Sequence, residues 1–197
     1  SHVNPGTSTT YTVSKANIGN LVYTPNANSE ADDSFTFKAY DGETDSTSTY
    51  TITVSVNAAP NVTDTTVSGT VAAGATSSGD VHDGVADSDD ADSVLVVTAA
   101  KAASEGGSYS TVINLGHDDN LVTAGTTSSD GLSVTGTYGT LVIGADGTYT
   151  YTASATNNIA YDATATDTFT FTTRDDETAS GSFAYDVGEL IFNVASS

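Results

Sequence analysis

Apolar and polar residues alternate with a period of two along most of this chain. Phe35 and Phe37 alternate with Thr36 and Lys38, and Tyr50, Ile52, Val54 and Val56 alternate with Thr51, Thr53 and Ser55. The rhythm returns at Tyr149 and Tyr151 among threonines, and again at Phe169 and Phe171. Successive side chains of a strand point to opposite faces, so this rhythm predicts strands that bury one face. Thr, Tyr, Val and Phe suit such a half-buried pleated surface. Turn pairs punctuate the runs at Asp41-Gly42, Gly106-Gly107, Asp130-Gly131 and Asp146-Gly147. Val142 to Tyr149 reads as a β-hairpin. The one Ala-rich stretch, Ala99 to Ser104, is too short to stand as a helix. The fold class is all-β.

An internal repeat organises the pattern. Asp33 to Ser46 aligns without gaps with Asp167 to Ser180: an aromatic strand, an acidic turn, then a final strand. Upstream, Leu21-Val22-Tyr23-Thr24 has its counterpart in Tyr149-Thr150-Tyr151-Thr152. The reading is two related β-modules, over 1–57 and 61–197, joined by a linker at 58–60 that ends in Pro60. Proline cannot donate to a ladder, which suits a stiff connector. The first module has few residues before its Leu21 strand and reads as the C-terminal half of a module. Near the chain end, Phe183, Tyr185 and Val187 share one phase, whereas Leu190, Phe192 and Val194 share the other. The change at Gly188-Glu189 predicts a bulge, or a kink into a new strand.

Charge narrows the function. Twenty-five acidic residues against 4 basic ones leave a net charge of −21. Nucleic acid needs a basic patch, which four scattered cations cannot form. Anionic membrane surfaces are disfavoured for the same reason, and no apolar run reaches the length of a membrane span. Self-repulsion on this scale is relieved either by hydration in salt or by bound divalent cations. Cysteine is absent, so disulfides and thiolate metal sites are excluded. Methionine is absent too, which reads as a piece of a longer product, with Ser1-His2 as a tag remnant.

The carboxylates cluster. Asp83, Asp87, Asp89, Asp90 and Asp92 fall within ten residues, and calcium takes six to eight hard oxygen ligands. Strand-like spacing puts Asp87 and Asp89 on one side, and a turn at Asp90-Ala91 can bring Asp92 round. The segment lacks the glycine and closing Glu of an EF-hand. The acidic turns Asp41-Gly42-Glu43-Thr44-Asp45 and Asp175-Asp176-Glu177 are second candidates. The bland alternative for both is a solvated turn, because Asp and Gly are ordinary turn residues.

Gly79-Asp80-Val81, Asp87 to Thr98, Tyr138 to Tyr151 and the turn Asp175-Asp176-Glu177 together resemble the VCBS and cadherin-like repeats of bacterial RTX-type adhesins. Leu21 to Asn26, Asp33 to Asp45 and Tyr50 to Pro60 look like the second half of a similar repeat. The resemblance implies tandem immunoglobulin-like β-sandwiches, calcium at domain junctions, and an extracellular or bacterial cell-surface location. It also implies that such turns lie near a linker, so that Asp41, Glu43 and Asn57 face the Asp87–Asp92 loop.

Catalysis finds little support. Any Ser, His and Asp can be drawn into a triad in so Ser-rich a chain. His82 and His117 sit in polar stretches and are expected to be exposed loop residues. Tyr50, Tyr149 and Tyr151 are expected in cores, and Tyr109, Tyr138 and Tyr161 at the surface. The leading expectation is a non-catalytic, calcium-binding extender of a large secreted adhesin, whose partners are neighbouring repeats. The alternative is a calcium-dependent polysaccharide-binding module.

Overall fold

The structure is a computed structural model of the chain, and it describes residues 11–24, 32–57, 59–85, 87, 94–102, 121–175 and 184–197. It is built mostly of β-strands, as the period-two pattern requires. Two compact units are present, Ser1–Val56 and Asn57–Ser197. Asn57, placed with the first module on sequence grounds, belongs to the second unit.

In the first unit a short 3-10 helix, Lys15–Asn20, precedes strands β1 (Asp33–Phe37) and β2 (Tyr50–Val54). The two pair antiparallel, with Phe35 opposite Ile52 and Phe37 opposite Tyr50. These four side chains share one face, and the Phe37 and Tyr50 rings stack at 5.5 Å. No second layer covers them among the described residues, so Tyr50 is half exposed rather than in a core. The Tyr23 hydroxyl donates to Asp33 Oδ2 at 2.8 Å.

The second unit contains β3 (Thr65–Val71), β4 (Thr76–Asp80), β5 (Val96–Lys101), β6 (Leu132–Thr135), β7 (Gly139–Ile143), β8 (Thr148–Ala153), β9 (Thr164–Arg174) and β10 (Tyr185–Ala195). They form two four-stranded sheets, in the orders β3-β10-β9-β5 and β4-β8-β7-β6. β3 runs parallel to β10, and the other pairs are antiparallel. The hairpin read from Val142 to Tyr149 is β7–β8, in which Ile143 faces Tyr149.

The inward residues of the two sheets make one core. Leu141, Ile143, Tyr149 and Tyr151 come from one sheet, and Phe169, Phe171, Leu190, Phe192 and Val194 from the other. Tyr151 stacks on Phe192 at 4.1 Å and meets Phe169 edge-on at 5.9 Å. Burying these rings is the main driving force of the unit, each removing on the order of 150–250 Å² from water.

One buried carboxylate crosses this core. Asp167 shares the inward phase of Phe169 and Phe171 and is 3% exposed. Its Oδ1 accepts from the Thr137 amide at 2.7 Å, and its Oδ2 accepts from the Tyr138 amide and the Tyr151 hydroxyl, both at 2.9 Å. Gly136 leaves room for it, since a Cβ there would stand 2.6 Å from Oδ2. These contacts also draw Tyr138 in, so it is half-buried and packs against the core rather than standing at the surface.

The phase change near Gly188 has a different cause from the bulge expected. β10 pairs with β9 in unbroken register from Tyr185 to Ala195. The only irregularity of β10 lies against β3, between Ile191 and Asn193. Gly188 is an inward position without a side chain: a Cβ there would meet Val62 Cγ1 at 2.5 Å and Phe171 Cζ at 3.0 Å. Tyr185 and Val187 lie on the other face of the same strand.

Candidate metal centre

One end of the second unit gathers the segments that carry the acidic candidates. β4 ends there at Asp80, β5 begins at Val96, β9 ends at Arg174 and β10 begins at Tyr185, with Val96 and Tyr185 both opposite Arg174. The segment around Val62 and Asp64 runs beside the start of β10. Two carboxylates fasten it: Asp186 Oδ2 accepts from the Val62 amide, and Asp64 Oδ1 accepts from the Glu189 amide, each at 2.9 Å.

Asn57 and Asp175 meet at this end. The Asn57 amide nitrogen donates to Asp175 Oδ2 at 2.7 Å. Asp175 is fully buried, and both its oxygens lie 3.0 Å from the Ala184 amide. It directly follows β9, and its carboxylate faces inward. With the nitrogen of Asn57 committed to Asp175, its carbonyl Oδ1 is buried without a hydrogen-bond partner. A buried amide oxygen beside a buried carboxylate is a hard-oxygen donor set of the kind calcium takes.

Asp87 follows the turn that leaves β4; it is half-buried, with Oδ2 shielded from solvent. Asp89, Asp92 and Glu177 lie outside the described residues. Among the described residues no group of three or more His, Cys, Asp or Glu side chains could hold a metal ion. Asn57, Asp87 and Asp175 fit calcium in donor type, and a full shell needs further oxygens.

Asp41 and Glu43, in the first unit, are arranged differently. Asp41 Oδ1 accepts from the Glu43 and Thr44 amides, both at 2.9 Å, closing its own turn. The Thr44 amide first, then that of Glu43, holds the Asp41 carboxyl below the usual carboxylate range. Glu43 is exposed. The turn borders an open hollow of about 260 Å³ lined by Ala39, Tyr40, Asp41, Thr44, Asp45 and Ser46. Asp146 and Asp130, read as plain turn residues, do the same kind of work. Asp146 Oδ1 accepts from the Thr148 amide at 3.0 Å, and Asp130 Oδ1 from the Thr127 amide at 2.8 Å.

Two features escaped the sequence reading. His82 is buried, at 2% exposure, rather than an exposed loop residue. The turn after β4 tucks its ring inward, where Nε2 lies 3.2 Å from Thr173 Oγ1 and Gly147 packs against it. The second is the tyrosine-to-aspartate bond. Tyr23 bonds Asp33 in the first unit as Tyr151 bonds Asp167 in the second. The aligned repeats already place Tyr23 on Tyr151 and Asp33 on Asp167, and an Asp in the phase of inward phenylalanines was the available signal.

No family model matches the chain, and no curated protein matches it.

Proposed function

We propose that the chain is a non-catalytic extender of a secreted bacterial surface protein, made of tandem immunoglobulin-like modules that calcium stiffens. The observation that carries the reading is the bond from half-buried Asn57 to buried Asp175, with an orphaned, buried amide oxygen on the first residue of the second unit. Asn57 adjoins the unit boundary, so an ion held there acts on the segment that joins the modules. Bound calcium would neutralise the carboxylates and cross-link them. Asp175 directly follows β9, Asn57 ties the entering segment to it, and Asp87 follows the turn that leaves β4.

Two further features support the modular part. Setting edge strands β3 and β6 aside, the sheets contain β4-β8-β7 and β5-β9-β10, the B-E-D and C-F-G sets of an immunoglobulin sandwich. The tyrosine-to-aspartate bond occurs at equivalent places in both units. The location that goes with this role is extracellular, at the bacterial cell surface, and the partners are neighbouring repeats.

The test is small-angle scattering and thermal melting of the full chain, in millimolar calcium and then in excess chelator. Calcium is expected to raise Tm, because a ligand that binds only the native state stabilises it by mass action, and to lengthen the particle. Replacing Asp87 and Asp89 by Asn together is expected to remove most of the gain. An unchanged Tm and scattering profile would overturn the reading. A raised Tm with an unchanged scattering profile would instead favour the calcium-dependent polysaccharide-binding alternative, with Tyr161, 95% exposed, as its first candidate contact.

A further inference from the structure

The repeat identifies which layer the described residues of the first unit do not supply. Its register superimposes β1–β2 on β9–β10. Asp33 faces Val54 as Asp167 faces Phe192, and Phe35 faces Ile52 as Phe169 faces Leu190. In the second unit that face is sealed by the opposite sheet, whose Tyr151 lies against Phe169 and Phe192. In the first unit Phe35, Phe37, Tyr50 and Ile52 are each 42–50% exposed. A two-stranded ribbon is marginal in water until its apolar face packs on another layer.

We propose that this face is a dimerisation surface whose occupant is the same face of a second copy of the chain. The side chains suit a self-complementary two-fold contact, since an aromatic pair and an aliphatic side chain on each copy can interleave. At roughly 200 Å² for a whole aromatic or large aliphatic side chain, the four expose roughly 350 Å² of apolar surface. Leu21 and Val22 are also exposed, at 42% and 73%, and the Tyr23–Asp33 bond brings their segment to the border of the face. Leu21, two residues before Tyr23 and so on the same side of that extended segment, raises the figure to roughly 430 Å² per copy, an apolar patch of the size that marks interaction sites. Two such faces bury roughly 850 Å² in all, below the roughly 1,000 Å² of a stable specific interface and in the range of weak, transient ones. The dimer is therefore weak and concentration-dependent. The net charge of −21 on each chain opposes it, so salt strengthens it by screening.

Sedimentation equilibrium of the full chain in chelator, at low and high salt, reads the association without the calcium reading entering. A monomer–dimer equilibrium that tightens with salt is expected; a monomer at millimolar concentration in high salt would overturn the proposal. Because the chain has no cysteine, single-cysteine variants locate the contact without reliance on a folding-sensitive core change. Ile52→Cys, on the face, is expected to cross-link as a covalent dimer on oxidation, and Thr51→Cys, on the reverse of the same strand, much less. Equal cross-linking of the two would place the contact elsewhere and overturn the proposal.

Discussion

Replacing Asp167 is the most informative single change in the second unit. Its carboxylate is the acceptor for the Thr137 amide, the Tyr138 amide and the Tyr151 hydroxyl. In Asp167→Ala the Tyr151 hydroxyl loses its partner inside the core, and the Thr137 and Tyr138 amides lose theirs at its part-buried edge. Leaving a buried donor unsatisfied costs about 1–3 kcal/mol and a part-buried one less, so a loss of about 2–6 kcal/mol is expected. That is a large share of the about 5–15 kcal/mol by which a domain is stable. Asp167→Asn keeps the shape and one acceptor but sets an amide NH₂ against a donor, and should fall between. Tyr151→Phe removes one donor together with its need for a partner, and should cost about 1.5–3 kcal/mol. The double variant should then lose less than the sum of the two, because deleting the Tyr151 hydroxyl takes away one of the donors that Asp167→Ala orphans. The assay is urea denaturation followed by tyrosine near-ultraviolet ellipticity, since Trp is absent. A loss below about 1 kcal/mol for Asp167→Ala, or strict additivity in the cycle, would refute the view that one carboxylate ties β9 to β7 and β8.

Other outcomes follow from the same packing and titration. Burial first, and then the hydrogen bond to Asp167, push the Tyr151 phenol well above its ordinary pKa of 10.0. Burial first, and then the charge of Asp80, raise that of Tyr149. A raised phenol pKa means that the folded chain holds the proton which the unfolded chain releases. This contribution is complete below about pH 10 and is lost as pH rises toward the folded-state value. The urea midpoint should thus drop between about pH 9 and about pH 11, and less so in Tyr151→Phe; a flat wild-type profile would contradict this. Gly188→Ala sets a methyl against Val62 and Phe171 and should cost about 1–3 kcal/mol. Adding Val62→Ala should recover part of that loss in the same urea assay, and no recovery would mean that the crowding lies elsewhere.

The period-two pattern alone was enough for the class and for most strands. Phe35, Tyr149, Tyr151, Phe169 and Phe171 all fall in strands as the alternation places them. A strand exposes its two faces to different surroundings, and that leaves a direct mark on the sequence. The aligned repeats also held the tyrosine-to-aspartate bond, because the Asp sits in the phase of the inward phenylalanines. Asp175 was legible as an acidic candidate, but its burial was not.

The tertiary structure decided whatever depends on the opposite layer. The alternation at Tyr50 is as regular as that at Tyr149, yet Tyr149 is buried and Tyr50 is half exposed, because among the described residues only the second unit supplies a covering sheet. Gly188 looked like a break because an inward position filled by Val62 and Phe171 from other segments leaves no trace in the local pattern. His82 is polar by composition and buried by the turn that folds it onto Thr173. Asn57 and Asp175 are 118 residues apart, and they meet only because β3 lies parallel to β10 and carries the entering segment to the end where β9 turns. Local periodicity fixes which face a side chain takes; what stands opposite that face is set by strand order and register, which are long-range properties.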